Sequence, residues 1–239
     1  MKQFLALGLM VGLVVVLGGG AARGADKDAE KTKEALRELQ DFIGGWKGSG
    51  QTKVKAGPRD PFWSETVKWN WRFKGDKIWL AVDFEGGKFF KSAEIYYLLD
   101  KKKYQLVGTP VEGKEKLTFD GTLKDEKLTF ERVDGKSKEV QRIIMNTAAE
   151  GIRFVYKVES RNDGGTIWRL NYMVAGTKIG ESLGGKDKKG PECVVSGGLG
   201  TMAVSYSGAT YYVCCSGCAD AFKENPKKYV DEFLAKKKK

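Results

Sequence analysis

The chain has 239 residues, 41% of them hydrophobic and 31% charged. That balance excludes a disordered or low-complexity chain and leaves room for one or two packed cores. The net charge is +11, but the lysines are interleaved with acids except at Lys236 to Lys239, so no concentrated basic stripe points to nucleic acid. There is no histidine, which removes Ser-His-Asp and Cys-His catalysis, His-ligated haem and every His-containing metal site. Glycine is frequent at 31 residues and proline scarce at 5, a combination that favours tight turns in a β-rich fold.

Residues 1–25 read as a secretory signal peptide. Lys2 supplies the charged start, Phe4 to Leu17 the apolar run, and Ala22 to Ala25 small residues near a cleavage point. The apolar run is shorter than the roughly 20 residues needed to span a bilayer, so no membrane span is expected after cleavage. The expected location is outside the cytoplasm, periplasmic or secreted. Removing Lys2 and Arg23 with this segment leaves a charge of +9.

The rest divides into 26–175, 176–190 and 191–239. Leu36, Leu39 and Ile43 recur at helical spacing, predicting a helix over 28–43 that Gly44-Gly45 ends. The pattern then changes to alternation. Trp63, Val67, Trp69, Trp71 and Phe73 share one parity, broken by Glu65; Ile78, Leu80, Val82 and Phe84 share another. Further strands are predicted at 89–99, 103–111, 115–123, 126–133, 137–148, 151–160 and 165–174, separated by turn pairs such as Gly75-Asp76 and Asp134-Gly135. About ten sequential strands with short connections close most naturally into an up-and-down barrel, which leaves no exposed edge.

The helix running into Gly44-Gly45-Trp46 resembles the Gly-x-Trp opening of lipocalin-like barrels, and Leu39 to Gly50 is similar to the start of exported bacterial barrel domains. This implies a mainly β fold, with Trp46 closing the barrel floor beneath a cation from the last strand, Arg169. Small barrels are often filled by side chains. A barrel that instead holds a small apolar ligand would line its cavity with Trp69, Trp71, Trp79, Phe84, Tyr97 and Trp168. Residues 176–190, with five glycines and four lysines, read as a linker.

All four cysteines follow residue 190, at Cys193, Cys214, Cys215 and Cys218. A tight turn would carry Cys193. Ala203 to Tyr206 and Thr210 to Val213 would form a hairpin around Ser207-Gly208, and Cys214 would end its second strand. A helix from Ser216 to Glu224 would hold Cys218 in its first turn, where free N–H groups favour the thiolate, and Pro226 would open a second helix. Three sulfurs then converge on one point, suited to a soft ion, Cu(I) or Zn(II). Adjacent strand residues face opposite ways, so Cys215 joins as a fourth ligand only if the strand has already turned. The residues leave two alternatives open. One is a disulfide staple such as Cys193–Cys214 or Cys193–Cys218 in an oxidising compartment, with the barrel as the functional part. The other is a dithiol redox pair in Cys215-Ser216-Gly217-Cys218, although the expected βαβ surroundings are missing.

The stretch from Cys193 to Tyr229, with Gly197, Gly208, Tyr211-Tyr212, Cys214, Gly217-Cys218, Phe222 and Pro226, closely resembles the YHS/TRASH family of small treble-clef-like modules. The resemblance implies heavy- or transition-metal binding through Cys193, Cys214 and Cys218, in metal trafficking, resistance or sensing, as an accessory to another domain or to an envelope metal-handling partner. Two positions depart from the pattern: Ser196 stands where many members have a second knuckle cysteine, and Ser207 where the histidine would follow Tyr206. An incomplete three-sulfur site is more open and exchangeable than a closed structural one. No nucleotide-binding loop or nucleophile elbow is present, so binding rather than catalysis is expected.

Overall fold

The computed structural model describes residues 20–52, 62–180 and 190–237, and of 20–26 the backbone alone. The export segment is therefore outside the described residues up to position 19, as are 181–189 of the stretch read as a linker. Among the described residues no helix is long and apolar enough to cross a membrane.

Ten strands close the barrel: β1 (Gly44–Thr52), β2 (Trp63–Lys74), β3 (Lys77–Glu85), β4 (Phe90–Leu98), β5 (Lys103–Pro110), β6 (Leu117–Lys124), β7 (Lys127–Val133), β8 (Val140–Ala148), β9 (Arg153–Arg161) and β10 (Arg169–Lys178). Each pairs antiparallel with its neighbours in sequence, and β1 pairs with β10 to seal the sheet. This is the up-and-down, lipocalin-like topology that the alternation and turn signals predict. β10 begins four residues later than predicted and runs through Gly176 to Lys178, which were assigned to the linker; pairing with β1, with Trp46 opposite Lys178, carries it that far.

The predicted helix over 28–43 is broken. The α-helix α1 spans Gly20–Arg37, and a 3-10 turn follows at Gln40–Phe42. Leu36 of α1 and Leu39, Phe42 and Ile43 around the turn are all buried in the core. Phe42 stacks on Trp69 with ring centroids 5.0 Å apart, and the Trp46 indole N–H donates to the Phe42 carbonyl at 2.8 Å. The Tyr104 hydroxyl donates to the Ala35 carbonyl at 2.8 Å, pinning α1 across the same end of the barrel.

The cation over Trp46 is Lys178, 5.1 Å from the ring, and not Arg169. β10 runs antiparallel to β1, so Arg169 lies nine residues away, about 30 Å along the strand. There its guanidinium donates to Glu139 at 2.6 Å and Asn162 at 3.0 Å. Two of the six aromatics assigned to a ligand cavity are also misplaced. Trp79 has the opposite parity to the buried Leu80 and Val82 and stacks on Tyr96 outside the barrel. Trp168 precedes β10 and lies between the guanidinium groups of Arg142, 3.7 Å from its ring, and Arg161, 5.0 Å away. Trp69, Trp71 and Phe84 are interior, and Tyr97 is partly buried against Tyr104. The interior aromatics pack against one another and against Phe119, Phe130, Phe154 and Tyr156, as side chains filling a small barrel do.

Glu65 is the interior carboxylate that interrupts the parity of β2. It accepts hydrogen bonds from the Tyr156 hydroxyl at 2.5 Å and the Trp63 indole at 2.8 Å. Burial raises its carboxyl above the ordinary 4.5, and the two donors pull it part of the way back. A carboxyl raised on folding adds stability below its unfolded value and loses that contribution as pH rises through its folded value. Glu65→Gln is therefore expected to flatten the fall in melting temperature from pH 4.5 toward 8. Parallel wild-type and variant melts that keep the same slope would contradict the assignment.

The C-terminal module holds the hairpin β11 (Met202–Tyr206) and β12 (Ala209–Val213), then helices α2 (Ser216–Glu224) and α3 (Pro226–Lys237). Its buried residues join those of the barrel in one hydrophobic core. β1 leaves β2 at the pair Gly44–Trp69, while β2 continues to Lys74, so the β1-side edge of β2 is bare beyond Trp69. The start of α2 packs on that edge. A methyl group added at Gly217 would collide with the Trp71 carbonyl oxygen, although alanine is normally favoured over glycine in a helix by about 1 kcal/mol. Gly217→Ala is expected to destabilise the protein by about 1–3 kcal/mol. Gly135→Ala, where an added methyl meets nothing within 4 Å, should leave the melting temperature unchanged in the same assay.

Candidate metal centre

Three elements deliver the sulfurs. Residues 193–198 form a knuckle closed by the Gly197 N–H donating to the Cys193 carbonyl at 2.8 Å and the Cys193 N–H donating to Gly198 at 2.6 Å. Gly197 has a φ of +78°, a left-handed conformation in which glycine carries no steric penalty. A bridge from Cys193 to Tyr212 and a bond from the Val194 N–H to the Tyr212 carbonyl at 2.8 Å lay the knuckle against β12. The Arg37 side chain, from α1, donates to the Ser196 carbonyl at 2.8 Å from the other side. β12 ends at Val213, so the chain has already left the strand at Cys214 and Cys215. Cys215 is the N-cap of α2, and Cys218 lies one turn further on.

Among the described residues, the sulfurs of Cys193, Cys214 and Cys218 form a group whose members all lie within 4.8 Å of one another. The Cys214 and Cys218 sulfurs are 3.6 Å apart. A tetrahedral site with metal–sulfur bonds near 2.3 Å has an edge of about 3.8 Å, so less than about 1 Å of contraction closes the triad on an ion. All four cysteines are free thiols and buried. Cys215 stays outside the triad yet interacts with the sulfurs of Cys214 and Cys218. It also accepts the backbone N–H groups of Cys218 and Trp71, the latter from the barrel.

Protonation follows these contacts. Hydrogen bonds from Cys214 and Cys218 lower the thiol pKa of both Cys193 and Cys215. The same bonds raise Cys214, and burial foremost raises Cys218. The first helical turn was expected to favour the thiolate at Cys218, but burial there raises its thiol pKa. The N-cap residue receives the free N–H, while Cys218 is sealed in the core. Ser196, in the position of the missing cysteine, places its backbone N–H 3.4 Å from the Cys193 sulfur and its hydroxyl 3.3 Å from that of Cys214. Ser196 therefore sets its polar groups against two of the three sulfurs.

The family comparison bears on this module. Residues 201–232 match the YHS domain. The match takes in Cys214, Cys215 and Cys218 of the YHS domain but begins after Cys193, which the fold supplies from the preceding knuckle. Among curated proteins, none matches the chain. A YHS domain and a buried cluster of cysteine sulfurs are together compatible with a bound metal ion. Sequence spacing missed the Trp71 N–H from the barrel and the Arg37 guanidinium from α1. Gly217, beside Cys218, was the visible signal that another backbone passes close.

If Ser196 occupies a ligand position, Ser196→Cys adds a fourth sulfur to the triad. The variant is expected to hold Zn(II) at least about tenfold more tightly, or about 1.4 kcal/mol, in competition with a chromophoric chelator. An unchanged affinity would mean that the hydroxyl does not face the ion's position.

Proposed function

We propose that this protein is an exported metal-binding protein whose YHS domain holds one soft transition or heavy-metal ion, Cu(I) or Zn(II), through Cys193, Cys214 and Cys218. Its role is binding for trafficking, resistance or sensing, with no catalytic step. The observation that carries this reading is the convergence of three buried sulfurs within 4.8 Å of one another from a knuckle, a strand end and a helix start. Sulfur donors without histidine select soft ions. Cu(I) accepts three thiolates, while Zn(II) would complete four-coordination with Cys215 or a water molecule. The ion would take the place of the thiol protons, so loading releases protons and weakens at low pH. Burial of both Cys215 and Cys218 argues against dithiol exchange with a protein partner, which needs an accessible attacking sulfur.

The test is metal content by mass spectrometry of the protein purified under reducing, metal-replete conditions, beside Cys193→Ser and Cys218→Ser. The expected result is about one soft metal per chain, lost in both variants. Wild-type protein that holds no metal under those conditions would overturn the reading.

A further inference from the structure

The triad has three sulfurs and no ready fourth donor. Among the described residues no carboxylate joins Cys193, Cys214 and Cys218, and the Cys215 sulfur does not lie within 4.8 Å of all three. A polar residue that does reach the triad is Ser196, which is 0% exposed. Its N–H donates to the Cys193 sulfur at 3.4 Å, and its hydroxyl oxygen lies 3.3 Å from the Cys214 sulfur. The same oxygen accepts the Gly198 N–H at 3.4 Å. A thiolate has no hydrogen to give. Once an ion has displaced the Cys214 proton, the hydroxyl is therefore the donor in that contact. Its hydrogen is then spent on sulfur and one lone pair on Gly198.

Access to the triad is one-sided. Cys193 and Cys218, like Ser196, are 0% exposed. The crevice against Cys193, between α1 and α3, holds about 10 Å³, no more than the smallest space that admits one water molecule. The Cys214 side opens on a cavity of about 450 Å³ at the junction of barrel and YHS domain, which Cys215 also lines. An ion that needs a fourth ligand would have to take water there or draw Cys215 in.

We propose that Ser196 keeps the metal centre three-coordinate and thereby sets its preference for Cu(I) over Zn(II). This rests on the metal-binding reading above and names its ion. Three thiolates satisfy Cu(I), whereas Zn(II) in closed sites takes four ligands from cysteine, histidine or carboxylate. A neutral hydroxyl is a hard donor and a poor match for a soft ion. Charge acts in the same direction. Three thiolates around a monovalent ion keep more negative charge than around a divalent one, and hydrogen bonds to charged groups are the strong ones. The Ser196 N–H and O–H supply two such bonds, to two different sulfurs, inside a buried site. A cysteine at 196 would remove the O–H donor and offer a sulfur beside Cys214, completing the set that Zn(II) takes.

The first measurement is copper K-edge X-ray absorption of the wild-type protein loaded anaerobically with Cu(I). The expected result is three sulfur neighbours and no oxygen neighbour. Two or four sulfurs, or a coordinated oxygen, would overturn three-coordination. The second is affinity for Cu(I) and for Zn(II), each in competition with a chromophoric chelator. Ser196→Cys is expected to lower the preference for Cu(I) over Zn(II) at least about tenfold. A smaller fall would overturn the assignment to Ser196. Cys215→Ser should hold Cu(I) within about threefold of the wild type; a larger loss would make Cys215 a ligand of the ion and overturn the three-sulfur set. Wild-type protein that keeps Zn(II) against an equal amount of Cu(I) would leave the metal-binding reading standing and overturn the preference. Wild-type protein that takes up neither ion would remove the metal-binding reading itself.

Discussion

The unequal length of two neighbouring strands is the constraint on which the rest of the molecule depends. β1 ends its pairing with β2 at Trp69, and β2 runs on for five more residues. A strand residue directs its N–H and C=O toward the same side, and an unpaired edge must be covered. Here α2 of the YHS domain covers it. Gly217 lies against the Trp71 carbonyl, and the Trp71 N–H reaches the Cys215 sulfur. The same backbone unit thus sets the distance between barrel and helix and holds one of the four sulfurs. A side chain at Gly217 would separate the two units and displace the helix that carries Cys218 in one step.

α1 forms the third side of this arrangement. It caps the barrel through Leu36 and the bond from Tyr104, and it reaches the knuckle through Arg37 and α3 through the Glu30–Lys236 pair at 2.8 Å. The barrel therefore acts as a rigid support. Its interior is occupied by its own aromatic rings, and its end wall carries the site. Small metal-binding modules often lack enough core to be stable alone, and here the missing core is the barrel end.

Much of this was legible in the sequence. Period-2 alternation and paired turn residues mark each strand because every strand has one face buried. The C-x20-C-x3-C spacing marks the three sulfurs because a knuckle, a hairpin end and a helix start are local structures with fixed reach. The errors have physical causes. Trp79 was assigned inward, although Leu80 and Val82, of the opposite parity, already claimed that face. Trp168 precedes β10, outside the cavity it was expected to line, and Arg169 begins that strand at the end far from Trp46. A thiolate was expected at Cys218 because helix geometry alone does not reveal that its sulfur is sealed in the core.

By itself the sequence determined what is local or periodic: a ten-strand β region, a cysteine module with YHS character, three convergent sulfurs and a chemistry without histidine. Only the tertiary structure decided how the two parts meet. Which strand edge is left bare, how Lys178 rather than Arg169 comes to cover Trp46, and why Cys215 is held by a tryptophan backbone 144 residues earlier in the chain all depend on strand register around a closed barrel. Register sums pairings over the whole ring, and no segment of the chain contains that sum.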